Sequence, residues 1–371
     1  MTLAFQDTTK TGGPAVRPIV RLWFWSLALA VLAMVVVGGA TRLTDSGLSI
    51  VEWRPVTGVL PPFSTEAWLL ELEKYRQIPE YQQINRGMSL EEFKFIYWWE
   101  WGHRFLGRLV GVLFLIPFIF FLWRGWLDRK TMWLSLAAFG LGGIQGAIGW
   151  WMVASGLTER VDVSPYRLAT HLGLATVIFG YLVWLAQRGQ AGARLVAHAS
   201  HRLGSLRVGA ILFAVLLFVQ MILGAFVAGI DAGFAYREWP TMGGMLIPDL
   251  MYGMEPWWRN LFEDVTTVQF NHRMMGYIVL IVALIQTALA LAVLSPGGAR
   301  VVAALLGLGV TMQAGLGIAT LLTGVPISAA LAHQALAIVL IGLAVTHLRQ
   351  VWAIQPDRVA EPPSQMETAR A

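Results

Sequence analysis

The chain of 371 residues is 56% hydrophobic and 13% charged, far from the balance of a water-soluble domain, and its formal net charge is +5. It contains no cysteine, which excludes disulfides, thiolate metal ligands and cysteine nucleophiles. The basic residues lie in short segments between apolar runs and form no clustered face on a soluble module, so nucleic acid is not needed to explain them.

Apolar stretches of about 20 residues predict eight membrane spans, at 20–41, 96–123, 131–154, 167–187, 208–230, 267–293, 299–322 and 327–348. The opening segment has no short apolar core with a small-residue cleavage site, so the first span reads as retained structure behind a polar tail. Arg17 and Arg21 precede span 1, and Arg124, Arg129 and Lys130 join spans 2 and 3. Arg188, Arg194, Arg202 and Arg207 join spans 4 and 5, and Arg349 and Arg358 follow span 8. The positive-inside rule puts these segments and both termini in the cytoplasm, which for a bacterial chain means the inner membrane. The opposite loops are acidic on balance: residues 231–266 set Arg237 and Arg259 against Asp231, Glu238, Asp249, Glu255, Glu263 and Asp264.

The two halves repeat. DSGLSIVEWRPVTG aligns with DAGFAYREWPTMGG, placing Asp45 on Asp231, Glu52 on Glu238 and Trp53 on Trp239 at an offset of 186. Glu100, His103 and Arg104 fall on Gln269, His272 and Arg273 at 169, Gln145 and Gly149 on Gln313 and Gly317 at 168, and His171 on His333 at 162. The offset shrinks only between spans, as loop deletions after a duplication would make it. Four spans per half make the halves parallel. The expected fold is therefore an all-α integral membrane protein whose eight transmembrane helices form two tandem, pseudo-twofold-related four-helix bundles. The expected divisions are a cytoplasmic tail over 1–19, an N-terminal bundle over 20–187, a basic linker over 188–207, a C-terminal bundle over 208–348 and a cytoplasmic tail over 349–371.

His103, His171, His272 and His333 each lie a few residues into a span that runs from the outer face inward. An imidazole in a membrane span is costly unless it ligates or hydrogen-bonds something. Four at matching depths, paired by duplication, predict two bis-histidine haems, one between spans 2 and 4 and one between spans 6 and 8. The alternative is four separate hydrogen bonds to carbonyls or hydroxyls. Zinc fits less well, because a closed site needs four close ligands and each bundle offers two histidines. Arg104, Arg108 and Arg273 are candidates for haem propionates through paired hydrogen bonds, with snorkelling to the interface as the other open reading. The glycines of GGIQGAIGW and MQAGLGIAT predict close helix packing.

One position breaks the repeat in a chemically telling way. Glu100 precedes His103 by three residues and shares its helical face, whereas the matching residue of the other half is the amide Gln269. A carboxylate beside one metal centre and an amide beside the other predicts divided labour, with proton chemistry in the N-terminal half and electron carriage in the C-terminal half. Glu100 paired with Arg104, or merely solvated, is the competing reading.

The runs GGATRLTDSGLSIVEW, EWGHRFLGR, HLGLA, QFNHRMMGY and LAHQALA together resemble haem A synthase, over nearly the whole chain from Val37 to His347. That resemblance implies an oxidoreductase that converts the C8 methyl of haem O to a formyl group, giving haem A for cytochrome oxidase. It further implies Glu100 as catalytic residue, His103 and His171 at the substrate haem, His272 and His333 as iron ligands of a resident haem b, and haem O synthase and oxidase assembly factors as partners beside membrane lipid. Many relatives carry cysteine pairs in the loops before spans 2 and 6; this chain has none, so a thiol-based step does not operate in it. A homo-oligomer is left open. The main alternative is a dihaem electron carrier or quinol oxidoreductase with two permanent haems. A transporter is disfavoured, because neither half shows two adjacent broken spans with a charged midplane.

Overall fold

The computed structural model describes residues 16–190, 193, 195 and 199–354. Arg194 and Arg358 of the basic segments, and most of both tails, lie outside the described residues. Eight helices are long and apolar enough to cross a membrane. They are α1 Pro18–Leu43, α2 Leu90–Trp123, α3 Arg129–Val153, α4 Pro165–Ala186, α5 Leu203–Gly229, α6 Val265–Val293, α7 Gly298–Leu322 and α8 Ile327–Trp352. No strand occurs among the described residues, only two isolated bridges. Helix is what lipid requires, since every backbone N–H and C=O must be satisfied within its own segment.

Helix starts follow local chemistry more closely than hydropathy. α2 begins at Leu90, six residues ahead of the predicted span, because Ser89 and Glu92 form a capping box: the Glu92 N–H donates to Ser89 Oγ at 3.3 Å and the Ser89 N–H to Glu92 Oε2 at 2.8 Å. Asp128 and Asp264 cap α3 and α6 by accepting from the N–H groups of Thr131 and Thr267 at 3.2 and 2.7 Å. Proline in the first turn opens α1 and α4, where no N–H partner is needed. Pro117 lies inside α2 and cannot donate to the Leu113 carbonyl one turn back. Trp23 Nε1 of α1 donates to that carbonyl instead, at 2.9 Å, and its indole packs on Phe114, Phe118 and Phe121.

Helix neighbours fall into two rings: α1 touches α2 and α4 while α3 touches both of those, and α5 touches α6 and α8 while α7 touches both of those. α4 packs on α5 and α8, and α1 on α8, which closes a seam between the rings. Small residues and membrane-embedded amides hold that seam. Gln334 Nε2 of α8 donates to the Val35 carbonyl of α1 at 3.0 Å, and Gln187 Nε2 to Thr346 Oγ1 at 2.7 Å. Gly229 at the end of α5 leaves room for Pro165 at the start of α4.

The arginine-bearing segments gather at one end of the bundle. There Arg17 lies over the Trp126 ring, Arg188 donates to Thr131 Oγ1, Arg349 donates to the Gln190 carbonyl and Arg207 to that of Ile354. The other end carries the longer loops, including two helices that hydropathy does not reveal, Thr65–Tyr75 and Pro79–Gln83. They cover the first ring through a cluster of Leu48, Trp68, Leu72, Tyr75, Phe93 and Tyr97.

A methyl group at Gly229 would lie 2.9 Å from Pro165 Cβ and 3.1 Å from its Cα, and a backbone atom has no side-chain freedom with which to yield. Gly229→Ala is expected to push α4 and α5 apart and to destabilise the protein by about 1–3 kcal/mol, read as a lower melting temperature in detergent.

Candidate functional site

The structure gathers the four histidines into the two predicted pairs. All four are half-buried, His103 and His171 in the first ring, His272 and His333 in the second. His171 stands within electrostatic reach of His103, and His333 within that of His272. Among the described residues no cluster of three or more His, Cys, Asp or Glu forms, so the two-histidine sets are the metal-ligating groups on offer.

Each imidazole lies in a cradle made by a glycine of the adjoining helix. An added Cβ at Gly38 of α1 would stand 3.1 Å from His103 Nε2, and one at Gly224 of α5 would stand 3.2 Å from His272 Cε1. Likewise Gly149 of α3 would meet His171 Cε1 at 2.9 Å and Gly317 of α7 would meet His333 Cε1 at 2.8 Å. These glycines do more than close-pack helices: they admit the imidazole rings.

Glutamines hold three of the four histidine turns. Gln145, Gln220 and Gln313 donate through Nε2 to the carbonyls of His171, His272 and His333 at 3.0, 3.1 and 2.9 Å. In all three the amide Oε1 is buried and has no hydrogen-bond partner. Gln145 and Gln313 were visible as repeat partners, but nothing in the sequence pattern singles out Gln220. Its counterpart at the offset of 186 is Met34, an apolar residue whose Cε a Cβ on Gly107 would meet at 3.6 Å. His103 is thus the one histidine of the four without a glutamine beside it.

Glu100 is buried, 2% exposed, with three donors converging on it. Ser49 Oγ and the Ile50 N–H approach Oε2 at 2.8 and 2.7 Å, and Arg104 Nη2 approaches Oε1 at 2.6 Å. Arg104 also donates to the Ile50 and Glu52 carbonyls, at 2.7 and 2.9 Å, and Arg108 to those of Arg54 and Pro55, at 2.8 and 2.9 Å. The loop after α1 is therefore clamped onto α2 directly above His103. In the second ring Arg273 grips the carbonyls of Tyr236, Glu238 and Thr241, and Gln269 Nε2 donates to the Tyr236 carbonyl at 3.1 Å. Ile50 and Tyr236 are repeat partners, so Glu100 accepts from the backbone of the residue whose counterpart Gln269 donates to. The carboxylate does pair with Arg104, and the arginine guanidinium groups reach loop carbonyls.

Sequence patterning did not reveal two other groups. Arg42 at the end of α1 binds Asp45 at 2.9 Å, Asp231 at 3.1 Å and Asp162 at 3.5 Å, tying loops of both rings together. His347, deep in α8 near the arginine end, lies with Nε2 2.9 Å from the amide nitrogen of Gln286.

The model of the COX15-CtaA family, cytochrome oxidase assembly proteins, matches residues 21–345. The chain belongs to this family. It is 53% identical over 332 residues, 88% of this chain and 89% of the relative, to a protein of Bradyrhizobium diazoefficiens named heme A synthase. Proteins with the same name from Rhodopseudomonas palustris strain BisA53 and Chelativorans sp. strain BNC1 are 48% and 50% identical, covering 92% and 91% of this chain and 94% and 92% of their own. The family match reaches from within the first helix to within the eighth and includes both histidine pairs.

The Arg104 side chain is 18% exposed and that of Glu100 3%, so removing the cation leaves a buried carboxylate with two neutral donors. Arg104→Met is expected to cost on the order of 3 kcal/mol and to free the 45–56 loop, seen as faster limited proteolysis there.

Proposed function

We propose that this integral membrane protein is a haem A synthase, an oxidoreductase that converts the C8 methyl of haem O to a formyl group. The observation that carries the reading is a pair of glycine-cradled histidines beside a buried carboxylate in one ring, against the same pair beside an amide in the other, in a chain of this family. A dihaem electron carrier gains no support from the relatives, and it leaves the Glu100 and Gln269 difference without a purpose.

The residues present fit two haems. Two histidines come from separate helices of each ring, glycines leave the space, and Nε2 of Gln145 and Gln220 lies 3.1 and 3.2 Å from Nδ1 of His171 and His272, so a neighbouring amide would orient each of these rings when a metal is bound. In this reading His272 and His333 hold a resident haem b, and His103 and His171 position the substrate haem O. A haem at the second pair supplies one-electron redox chemistry close to the first. Gln220 and Gln313 secure both histidine turns of the permanent site; Met34 leaves that of His103 unsecured, as suits a ligand of a molecule that must leave after each turnover.

Oxidising a methyl group releases protons, and Glu100 is their acceptor. Ser49, the Ile50 N–H and Arg104 hold its two oxygens in a fixed position three residues before His103. Arg104 and Arg273 fix the loops beside the histidines of the two rings, and each is a cation that could pair with a haem propionate. The two rings are the halves of a tandem duplication related by an axis along the membrane normal, with the substrate haem in 20–187 and haem b in 208–348. The arginine end faces the cytoplasm of a bacterial inner membrane, with both tails, and the loop end faces outward. The product serves cytochrome oxidase, so an enzyme that farnesylates haem supplies the substrate and an oxidase assembly factor takes the product.

Replacing His272 or His333 by Ala is expected to strip or convert the low-spin haem b, measured as lost bound haem and a changed reduced spectrum in the purified protein. A variant with wild-type haem b content would remove the assignment.

Glu100→Gln makes the first ring imitate the second at nearly constant volume. Haem binding is expected to survive while the ratio of haem A to haem O in extracts falls by about 10²-fold or more. A wild-type ratio would place the proton acceptor elsewhere.

A further inference from the structure

The loop helix Pro79–Gln83 buries only one of its residues, and that residue is a carboxylic acid. Glu80 is 5% exposed, and its Oε2 has no hydrogen-bond partner. A carboxyl with one oxygen unpartnered in a buried position is expensive to keep, and Gln83, one turn along, shows that the same helix readily presents polar side chains outward. Resting on the haem A synthase reading, we propose that Glu80 is a proton-exit group, taking the protons that Glu100 collects and passing them to the loop face of the protein.

Placement supports this route. Glu80 and Glu100 interact electrostatically, although they stand on separate elements. Tyr75 is fully buried within the apolar cluster, and Asn85 Nδ2 donates to its hydroxyl oxygen at 2.7 Å, leaving the hydroxyl proton for Glu80. Gln83 of the same loop helix and Asp162, which interacts with Glu80, line a cavity of about 450 Å³ together with Asp231, ample for water. The ionisable groups facing Glu80 are Tyr75 on the preceding loop helix, Asp162 between α3 and α4, Glu100 on α2 and Asp45 after α1. Burial is the largest influence and the three carboxylates add to it, pushing Glu80 up to about 8 against the opposing pull of the Tyr75 hydroxyl. A group titrating there both binds and releases protons at neutral pH.

The step conserves atoms and charge. Glu80 releases its O–H proton to water in the cavity and becomes a carboxylate. The proton on Glu100 then leaves its carboxyl oxygen and arrives at Glu80, restoring the base at the reacting methyl. No electron moves in this leg.

The sign of the linkage gives a test free of turnover. The folded chain holds a proton on Glu80 that the unfolded chain loses near the ordinary carboxyl range, so stability falls as pH rises from that range through about 8. Glu80→Gln is isosteric and removes this decline: its melting temperature in detergent should match wild type near pH 5 and exceed it near pH 9. In infrared titration, a protonated carboxyl band should vanish around pH 8 in wild type, be missing in Glu80→Gln, and titrate at lower pH in Glu100→Gln, where one facing charge is gone. In membranes supplied with haem O, Glu80→Gln should lower haem A formation by about tenfold at neutral pH and flatten its pH profile, with haem b content unchanged.

A Glu80→Gln protein that forms haem A at the wild-type rate and pH profile overturns the proposal. So does a Glu80 band unmoved by Glu100→Gln. Wild-type protein that forms no haem A at any pH would instead overturn the haem A synthase reading, and the infrared titration would still decide whether Glu80 and Glu100 are coupled as a shared proton route requires.

Discussion

Four of the imidazoles within the membrane bundle, His103, His171, His272 and His333, are each closely approached by a glycine, which sets the spacing of the helices around it. Cβ atoms at Gly38, Gly149, Gly224 or Gly317 would come within 2.8–3.2 Å of a ring atom, tighter than ordinary van der Waals contact. Lipid gives no hydrophobic reason for helices to associate, so packing and interhelical hydrogen bonds decide which faces meet. Here the glycine and the histidine occupy adjoining helices, so each histidine turn is also a helix–helix contact. The binding geometry and the architecture are therefore one constraint. Gln145, Gln220 and Gln313 reinforce it from the same neighbouring helices by bonding the histidine carbonyls.

The loop end depends on that frame. Arg104 and Arg273 project from histidine-bearing helices, one residue beyond His103 and His272, and turn toward the loops. A guanidinium has five N–H donors and can hold several carbonyls of an irregular loop whose own backbone lacks partners. Such a loop tolerates membrane depth because protein groups satisfy it. Exchanging Gln269 for Glu100 inverts one bond in this clamp: the amide gives a hydrogen bond to the backbone and the carboxylate receives one. Fold is preserved by either residue, and proton capacity by one alone.

Much of this was legible in the sequence. Spans longer than a bilayer's thickness dominate hydropathy, so all eight were locatable, and the repeat offsets paired the histidines before any coordinates. Boundaries drifted where capping outweighed hydropathy, as at Ser89. The helices Thr65–Tyr75 and Pro79–Gln83 escaped because they are short and mixed in polarity, being stabilised by packing under the loops. The Glu100 and Arg104 pair was foreseeable from i,i+4 spacing, but Ser49 and Ile50 were not, because only the fold brings a loop residue against a helix fifty positions away. Gln220 was missed for a related reason. Its partner in the repeat is Met34, and an apolar residue in an apolar span leaves no signature.

That same mismatch orders the two sites energetically. A histidine whose turn is tied to a neighbouring helix by an amide bond has less conformational freedom to lose on ligating a metal, so less binding free energy is spent in positioning it. His171, His272 and His333 share that advantage, and His103 does not. A resident group gains from two tied ligands, because its residence time should exceed many turnovers. A substrate that enters and leaves gains from one tied ligand, which fixes the porphyrin's orientation, and one untied ligand, which lets it go. His103 also sits one turn from Glu100, so under the proposed function release and proton transfer share one segment of α2. On the proposed reading, a repeated arrangement needs few changed side chains to turn one of two similar sites into a reaction centre, and positions 34 and 100 are two at which the halves of this chain differ.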